Sequence, residues 1–172
     1  RQEGEGKATK TSGWTQPPGT PFVGEAYLKA WRLSGERVCL EAAIECARAL
    51  VKSQLKSGGW ASHFDLSPEG SRRYTYRQDG AKAGPRNQTT FDDNKSQSAL
   101  SLLMHVDEEL RFRDRTIREA VEYSLTQMLA AQYPNGAWPQ QYAEPPNPTD
   151  HPVKKASYPK DWSRVYPRQR YI

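Results

Sequence analysis

A chain of 172 residues is long enough for one domain with a sizeable core, yet only 35% of it is hydrophobic and its mean hydropathy is −0.92, with thirteen prolines and twelve glycines diluting the apolar content. The net charge of +5 is local: from Lys154 to Arg170 six bases (Lys154, Lys155, Lys160, Arg164, Arg168, Arg170) face one acid, Asp161, so the rest of the chain is close to neutral. That distribution speaks against a nucleic-acid surface spread over the fold, and no run of about 18 apolar residues offers a membrane span.

Residues 1–13 are polar and glycine-rich, and the first 20 are predicted to be disordered or extended. Pro17-Pro18-Gly19 marks a turn into structure. A first helix is predicted from Phe22 to Leu33, with Phe22, Val23, Ala26, Tyr27, Ala30 and Trp31 as its buried stripe and Gly35 as its stop. A second is predicted from Val38 to Ser53, burying Cys39, Ala42, Ala43, Cys46, Ala49 and Leu50. The two cysteines stand two turns apart, roughly 10 Å along a helix. A disulfide tolerates about 7 Å, so both are expected as small core residues.

Residues 61–88 show no period and are expected as a long loop, a feature that is uncommon in a compact domain and often functional. The third helix is predicted from Thr90 to Leu110, burying Ala99, Leu102, Leu103, Val106 and Leu110. Asp114 is the predicted N-cap of the fourth, whose apolar face is Ile117, Ala120, Val121, Ser124, Leu125 and Met128, and Pro134 and Gly136 stop it. Arg111, Arg113, Arg115 and Arg118 fall at the junction of these two helices, as a solvated hairpin tip. Residues 143–172 hold six prolines and are expected as a second long loop.

An internal repeat organises the chain. Gln54-Leu55-Lys56-Ser57-Gly58-Gly59-Trp60 matches Gln132-Tyr133-Pro134-Asn135-Gly136-Ala137-Trp138, with Gln, Gly and Trp at an offset of 78 that Phe64 and Tyr142 share. Each copy follows a predicted hairpin, at about 22–53 and 90–131, and precedes an irregular stretch. Such hairpins cover their apolar faces by stacking on neighbours, and two pairs make an arc rather than a closed ring. The predicted fold is therefore all-α: an (α/α) toroid-type hairpin array over 21–172, incomplete in this chain.

Three groups of residues carry candidate chemistry. Thr89-Thr90-Phe91-Asp92-Asp93-Asn94 reads as a helix start, with Thr90 capping and Asp93 three residues later. It reads equally as a calcium site, because Asp92, Asp93 and Asn94 offer adjacent oxygen ligands of the kind that Ca2+ takes. Trp60 and Trp138 follow glycine-rich turns, where an indole either seals a helix end or stacks on a sugar; Gln140 and Gln141 stand beside the second. Arg72, Arg73, Arg77, Lys82 and Arg86 form a solvated face or, against a carboxylate-bearing ligand, a set of bidentate forks, with Asp79 placed to orient one. His63, His105 and His151 show no metal-ligand spacing, and no nucleophile elbow, P-loop or dinucleotide fingerprint occurs.

Gly58-Gly59-Trp60, Thr89 to Asn94, and Ala131-Gln132-Tyr133-Pro134-Asn135-Gly136-Ala137-Trp138-Pro139-Gln140 together resemble the family 10 polysaccharide lyases, the pectate (polygalacturonic acid) lyases, over about Pro21 to Ile172. The resemblance implies an (α/α) toroid with a central cleft, β-elimination on polygalacturonate, a Ca2+ ion between enzyme and substrate carboxylate, and an arginine as base. It implies a cation or substrate role for Asp92, Asp93 and Asn94, with Asp92 foremost; beside these, Trp60, Arg77, Asp79, Trp138 and Gln140 are the candidate substrate contacts. The family's later Thr-Phe-Asn-Asp segment and its catalytic arginine are expected beyond Ile172, so the chain alone is expected to be a nearly inactive N-terminal fragment. The implied partner is an acidic polysaccharide, with neither nucleic acid nor membrane, and the substrate implies a secreted or periplasmic protein. A non-catalytic helical module for acidic glycans and a plain hairpin scaffold are the alternatives.

Overall fold

The computed structural model describes residues 9–79, 84–147, 149, 150 and 161. Four helices pack together: α1 (Thr20–Ser34), α2 (Arg37–Ser53), α3 (Lys95–Glu109) and α4 (Arg115–Ala130). Helix α1 lies against α2 and α3, and α2 touches α3 and α4, so the two hairpins share one core. That core is built from Leu28, Leu40, Ala43, Ala47, Leu50, Leu102, Leu103, Val106, Ile117 and Ala120.

The fold is mostly helical rather than all-α, because each hairpin is bracketed by a short antiparallel sheet. Strand β1 (Ser12–Trp14) pairs with β2 (His63–Asp65), and β3 (Thr89–Thr90) pairs with β4 (Gln141–Tyr142). Each unit thus runs strand, helix, helix, glycine–tryptophan turn, strand. The described residues form two such units and no ring.

The repeat extends to individual hydrogen bonds. The Trp60 indole N–H donates to the Leu50 carbonyl at 2.8 Å, and Trp138 donates to Met128 at the same distance. The Gln54 side-chain amide donates to Gly58 O at 3.2 Å, and Gln132 donates to Gly136 O at 2.8 Å. Gly58 (φ +105°) and Gly136 (φ +85°) occupy the left-handed conformations that close the turns, and a Cβ at Gly58 would also collide with Gln127.

Several sequence expectations need correction. Phe22, Val23 and Tyr27 are exposed; α1 instead buries Pro21, Gly24 and Leu28. Gly24 lets α1 approach α3 so closely that a Cβ there would meet the Leu102 side chain. The buried face of α2 is rotated to Leu40, Ala43, Ala47, Leu50 and Val51, leaving Cys39 and Cys46 half-buried and free. Thr90 belongs to β3, and α3 starts only at Lys95. Within the first 20 residues, expected as disordered or extended, Ser12–Trp14 is a paired strand; residues 1–8 lie outside the described residues.

The described parts of the stretch 61–88 are anchored rather than loose. Tyr74 and Tyr76 are buried and stacked at 5.0 Å, and single bridges tie Leu55 to Tyr76 and Tyr74 to Arg86. Asp114 caps α4 as predicted, accepting from the backbone N–H groups of Thr116 and Ile117. The loop expected at 143–172 lies mostly outside the described residues, as does Lys82. Among the described residues no helix is long and apolar enough to cross a membrane.

Candidate functional site

The acidic turn sits where β3 hands over to α3. Asp92–Asn94 forms one tight 3-10 turn, in which Asp93 (φ 49°, ψ 32°) and Asn94 (φ 58°, ψ 28°) are both left-handed. For a residue with a Cβ this region costs about 1–2 kcal/mol, and Asp and Asn tolerate it best. Neither aspartate caps the helix: Asn94 holds the N-cap position and makes no side-chain cap bond. Thr90, expected as the cap of α3, instead accepts from the Asp92 N–H at 3.3 Å at the start of the turn. Both carboxylates face solvent, with 42% of the Asp92 side chain and 56% of the Asp93 side chain exposed.

One residue that the sequence reading missed organises the turn. The Lys95 side chain is only 7% exposed, and its ammonium lies 3.4 Å from Oδ2 of both Asp92 and Asp93. A desolvated ammonium requires such partners. The i, i+3 spacing of Asp92 and Lys95 was the available signal. Gln16, in the turn after β1, donates its amide to Asp93 Oδ2 at 3.1 Å and so ties the acidic turn to the first unit.

The turn is held from below by Trp60. Its carbonyl accepts from the Thr90 N–H at 3.2 Å and its N–H donates to Ser96 Oγ at 3.1 Å. Trp60 itself is 1% exposed, so its indole offers no free face to a sugar; of the two roles weighed for it, packing is the one that this burial fits. Trp138 differs, with 46% exposure, and meets Phe91 edge-on at 6.4 Å. Phe91 in turn donates its N–H to Gln140 O at 2.9 Å. The second unit thus brings Trp138 and Gln140 beside the residue that precedes Asp92.

Arg77 is not brought to this group by any described contact. Its Nε donates to Gln54 Oε1 at 2.7 Å and its guanidinium lies 5.0 Å from the Tyr123 ring centroid, which ties it to the first turn and to α4. Asp79 ends the 3-10 turn Arg77–Asp79, and its side chain lies outside the described residues. Tyr142, 5.7 Å from Phe91, is buried, and burial pushes its phenol up to about 12, so it holds its proton at neutral pH.

In kind, the donors of the turn fit a hard divalent cation: two carboxylates and an amide oxygen, all of the oxygen class that Ca2+ takes. In number they are few: no cluster of three or more Asp, Glu, His or Cys suited to a metal occurs among the described residues. A cation there would share both carboxylates with Lys95.

The family model for pectic acid lyases matches residues 54–153, more than half of the chain, from the first glycine–tryptophan turn past the second. No curated protein and no solved structure gives a match. The matched span holds the acidic turn, its lysine, Trp60, Trp138 and Gln140, and on this ground the chain belongs to the pectic acid lyase family.

Proposed function

We propose that this chain builds the cation- and substrate-binding face of a pectate lyase-type (α/α) toroid that cleaves polygalacturonate by Ca2+-assisted β-elimination. The observation that carries the reading is the family membership over 54–153, which spans the acidic turn and both tryptophan turns. The exposed carboxylates that cap no helix support it.

In this reading Asp92, Asp93 and Asn94 hold the cation and Trp138 and Gln140 receive the sugar. Arg77, held by Gln54 and Tyr123, and Asp79 are given no part in the acidic turn, and Trp60 supports the turn from the core. The reaction removes the C5 proton, breaks the bond from C4 to the glycosidic oxygen, which leaves with its electron pair and gains a proton, and forms a C4–C5 double bond. Bound Ca2+ would neutralise the C6 carboxylate and so make the C5 proton more acidic. Lys95 places a second positive charge beside the same oxygens, holding the two aspartates in register and limiting their repulsion. We assign no base among these residues. The substrate would place the protein outside the cell or in the periplasm.

The second reading is a non-catalytic module for acidic polysaccharide, favoured by the positive net charge and by the commitment of Arg77 to Gln54 and Tyr123. Joined to the arginine-bearing part of a family member, the chain should generate the ultraviolet absorbance of unsaturated uronate from polygalacturonate. That signal should vanish with a chelator and with Asp92→Ala. Retention on polygalacturonate with no absorbance would favour the module, and full activity of the alanine variant would remove Asp92 from the site.

A further inference from the structure

A cleft of about 290 Å³ opens between the two units and adjoins the acidic turn, whose own residues do not line it. Its lining includes Ser62 just before β2 and His63 at its start, Arg86 and Gln88 from the segment before β3, and Thr90 and Gln141 from the second sheet. Among the described residues no acidic side chain lines it, whereas a cleft against α1 includes Glu25 and one between α2 and α4 includes Asp114.

Arg86 is exposed, and among the described residues no carboxylate pairs with it. Its guanidinium is nonetheless held in place: it lies 5.6 Å from the Tyr74 ring centroid, and Nη1 donates a long hydrogen bond, 3.4 Å, to the Tyr74 hydroxyl. The same hydroxyl stands 3.1 Å from His63 Nδ1, and Trp14 packs edge-on against the His63 ring at 4.9 Å. Because Tyr74 is buried and stacked on Tyr76, the cluster rests on a rigid platform. A pre-positioned, unpaired guanidinium amid neutral hydrogen-bonding groups is suited to a carboxylate on a polyhydroxylated body.

We propose that this cleft is a second anchoring site, in which Arg86 binds the carboxylate of a hexuronate residue while His63, Gln88 and Gln141 meet its hydroxyls. The cleft is continuous with the acidic turn through Thr90, which lines it and whose Oγ1 accepts from the Asp92 N–H at 3.3 Å. A uronate chain would thus have one carboxylate on a fixed guanidinium and a neighbouring one at the acidic turn. Assigning the uronate as galacturonate rests on the function proposed above; the carboxylate chemistry of the cleft does not.

The test is calorimetric binding of the 172-residue chain to short oligomers of galacturonate, of glucuronate and of methyl-esterified galacturonate, with the His63 imidazole followed by NMR. Arg86→Gln, which leaves the backbone bridge to Tyr74 intact, should weaken binding of the free acids about tenfold and leave the ester unchanged. Gln88→Glu, an exposed change in the same wall, should weaken it similarly by repulsion. The His63 resonances should move on titration. Arg86-dependent binding of glucuronate with no preference for galacturonate would sustain the cleft and count against the pectate reading. Undiminished binding by Arg86→Gln with His63 unmoved, or no binding of any free uronate, would overturn the cleft assignment.

Discussion

The two copies of the glycine–tryptophan turn provide an internal control, because the same glutamine stands in two environments. Gln54 is completely buried. Its amide donates to Gly58 O at 3.2 Å and to Ala120 O in α4 at 2.8 Å, and its Oε1 accepts from Arg77 at 2.7 Å. Among the described residues the Gln132 side chain makes only the counterpart of the first bond, to Gly136 O, in an exposed setting. Truncating a buried polar partner costs about 1–3 kcal/mol for each group left unpaired, toward the upper end where one partner is charged. Gln54→Ala breaks three such contacts, of which the bond to Ala120 O is the most dispensable because that carbonyl sits within a helix. A net loss of about 4 kcal/mol follows, against about 0.5 kcal/mol for Gln132→Ala. At roughly 2–4 °C per kcal/mol for a chain of this size, the first should lower Tm by about 8–16 °C and the second by about 1–2 °C. Urea unfolding followed by tryptophan fluorescence and circular dichroism, with the m-value checked for constancy, measures both. Equal losses in the two variants would refute the claim that Gln54 joins the first turn to α4 and Arg77.

Other outcomes follow from the same structure. Asp107 is buried, its Oδ1 lacks a hydrogen-bond partner among the described residues, and burial raises its carboxyl above the usual range. The folded state therefore binds this proton more tightly than the unfolded chain, and stability falls as pH rises through the window above about 4. Asp107→Asn should stabilise the protein by about 1 kcal/mol at neutral pH, with the gain fading below pH 4 in melts run against pH; a gain independent of pH would point to another cause. His63 has its pKa lowered, chiefly by desolvation, so the unfolded chain takes up protons first as pH falls below about 6.5. Replacing it with Gln should flatten that part of the stability profile, and an unaltered slope would contradict the assignment. Trp60→Ala should cost about 3–5 kcal/mol of stability. Trp138→Ala, half as buried, should cost far less in a melt and show its main effect on oligogalacturonate affinity; the reverse ranking would sink the division of roles between them.

How much of this was legible in the sequence depends on the range of the interaction. The turn chemistry is local: Gln, Gly and Trp at fixed offsets specify a left-handed glycine and an indole that reaches back ten residues, so the 78-residue repeat was readable. The face of α1 was misread because apolar periodicity discounts glycine, whereas Gly24 is buried by the close approach of Leu102. Thr89 and Thr90 looked like a helix start because Asp93 stood in register for a capping box, but pairing with Gln141 and Tyr142, some fifty residues away, makes them a strand. Tyr74 and Tyr76 lie in a segment without period and are buried by contacts that no short window encodes. Lys95 was passed over because a lysine is read by default as solvated, and only the geometry of the turn puts its ammonium between two aspartates.

The acidic turn is the centre of the account, and calorimetric titration of Ca2+ into the chain with an oligogalacturonate present probes it most directly. Joint uptake of metal and oligomer is predicted, lost in Asp92→Ala and Asp93→Ala while both variants keep the wild-type circular dichroism. Metal uptake that is absent from the wild-type complex, or unaffected by both substitutions, would contradict it.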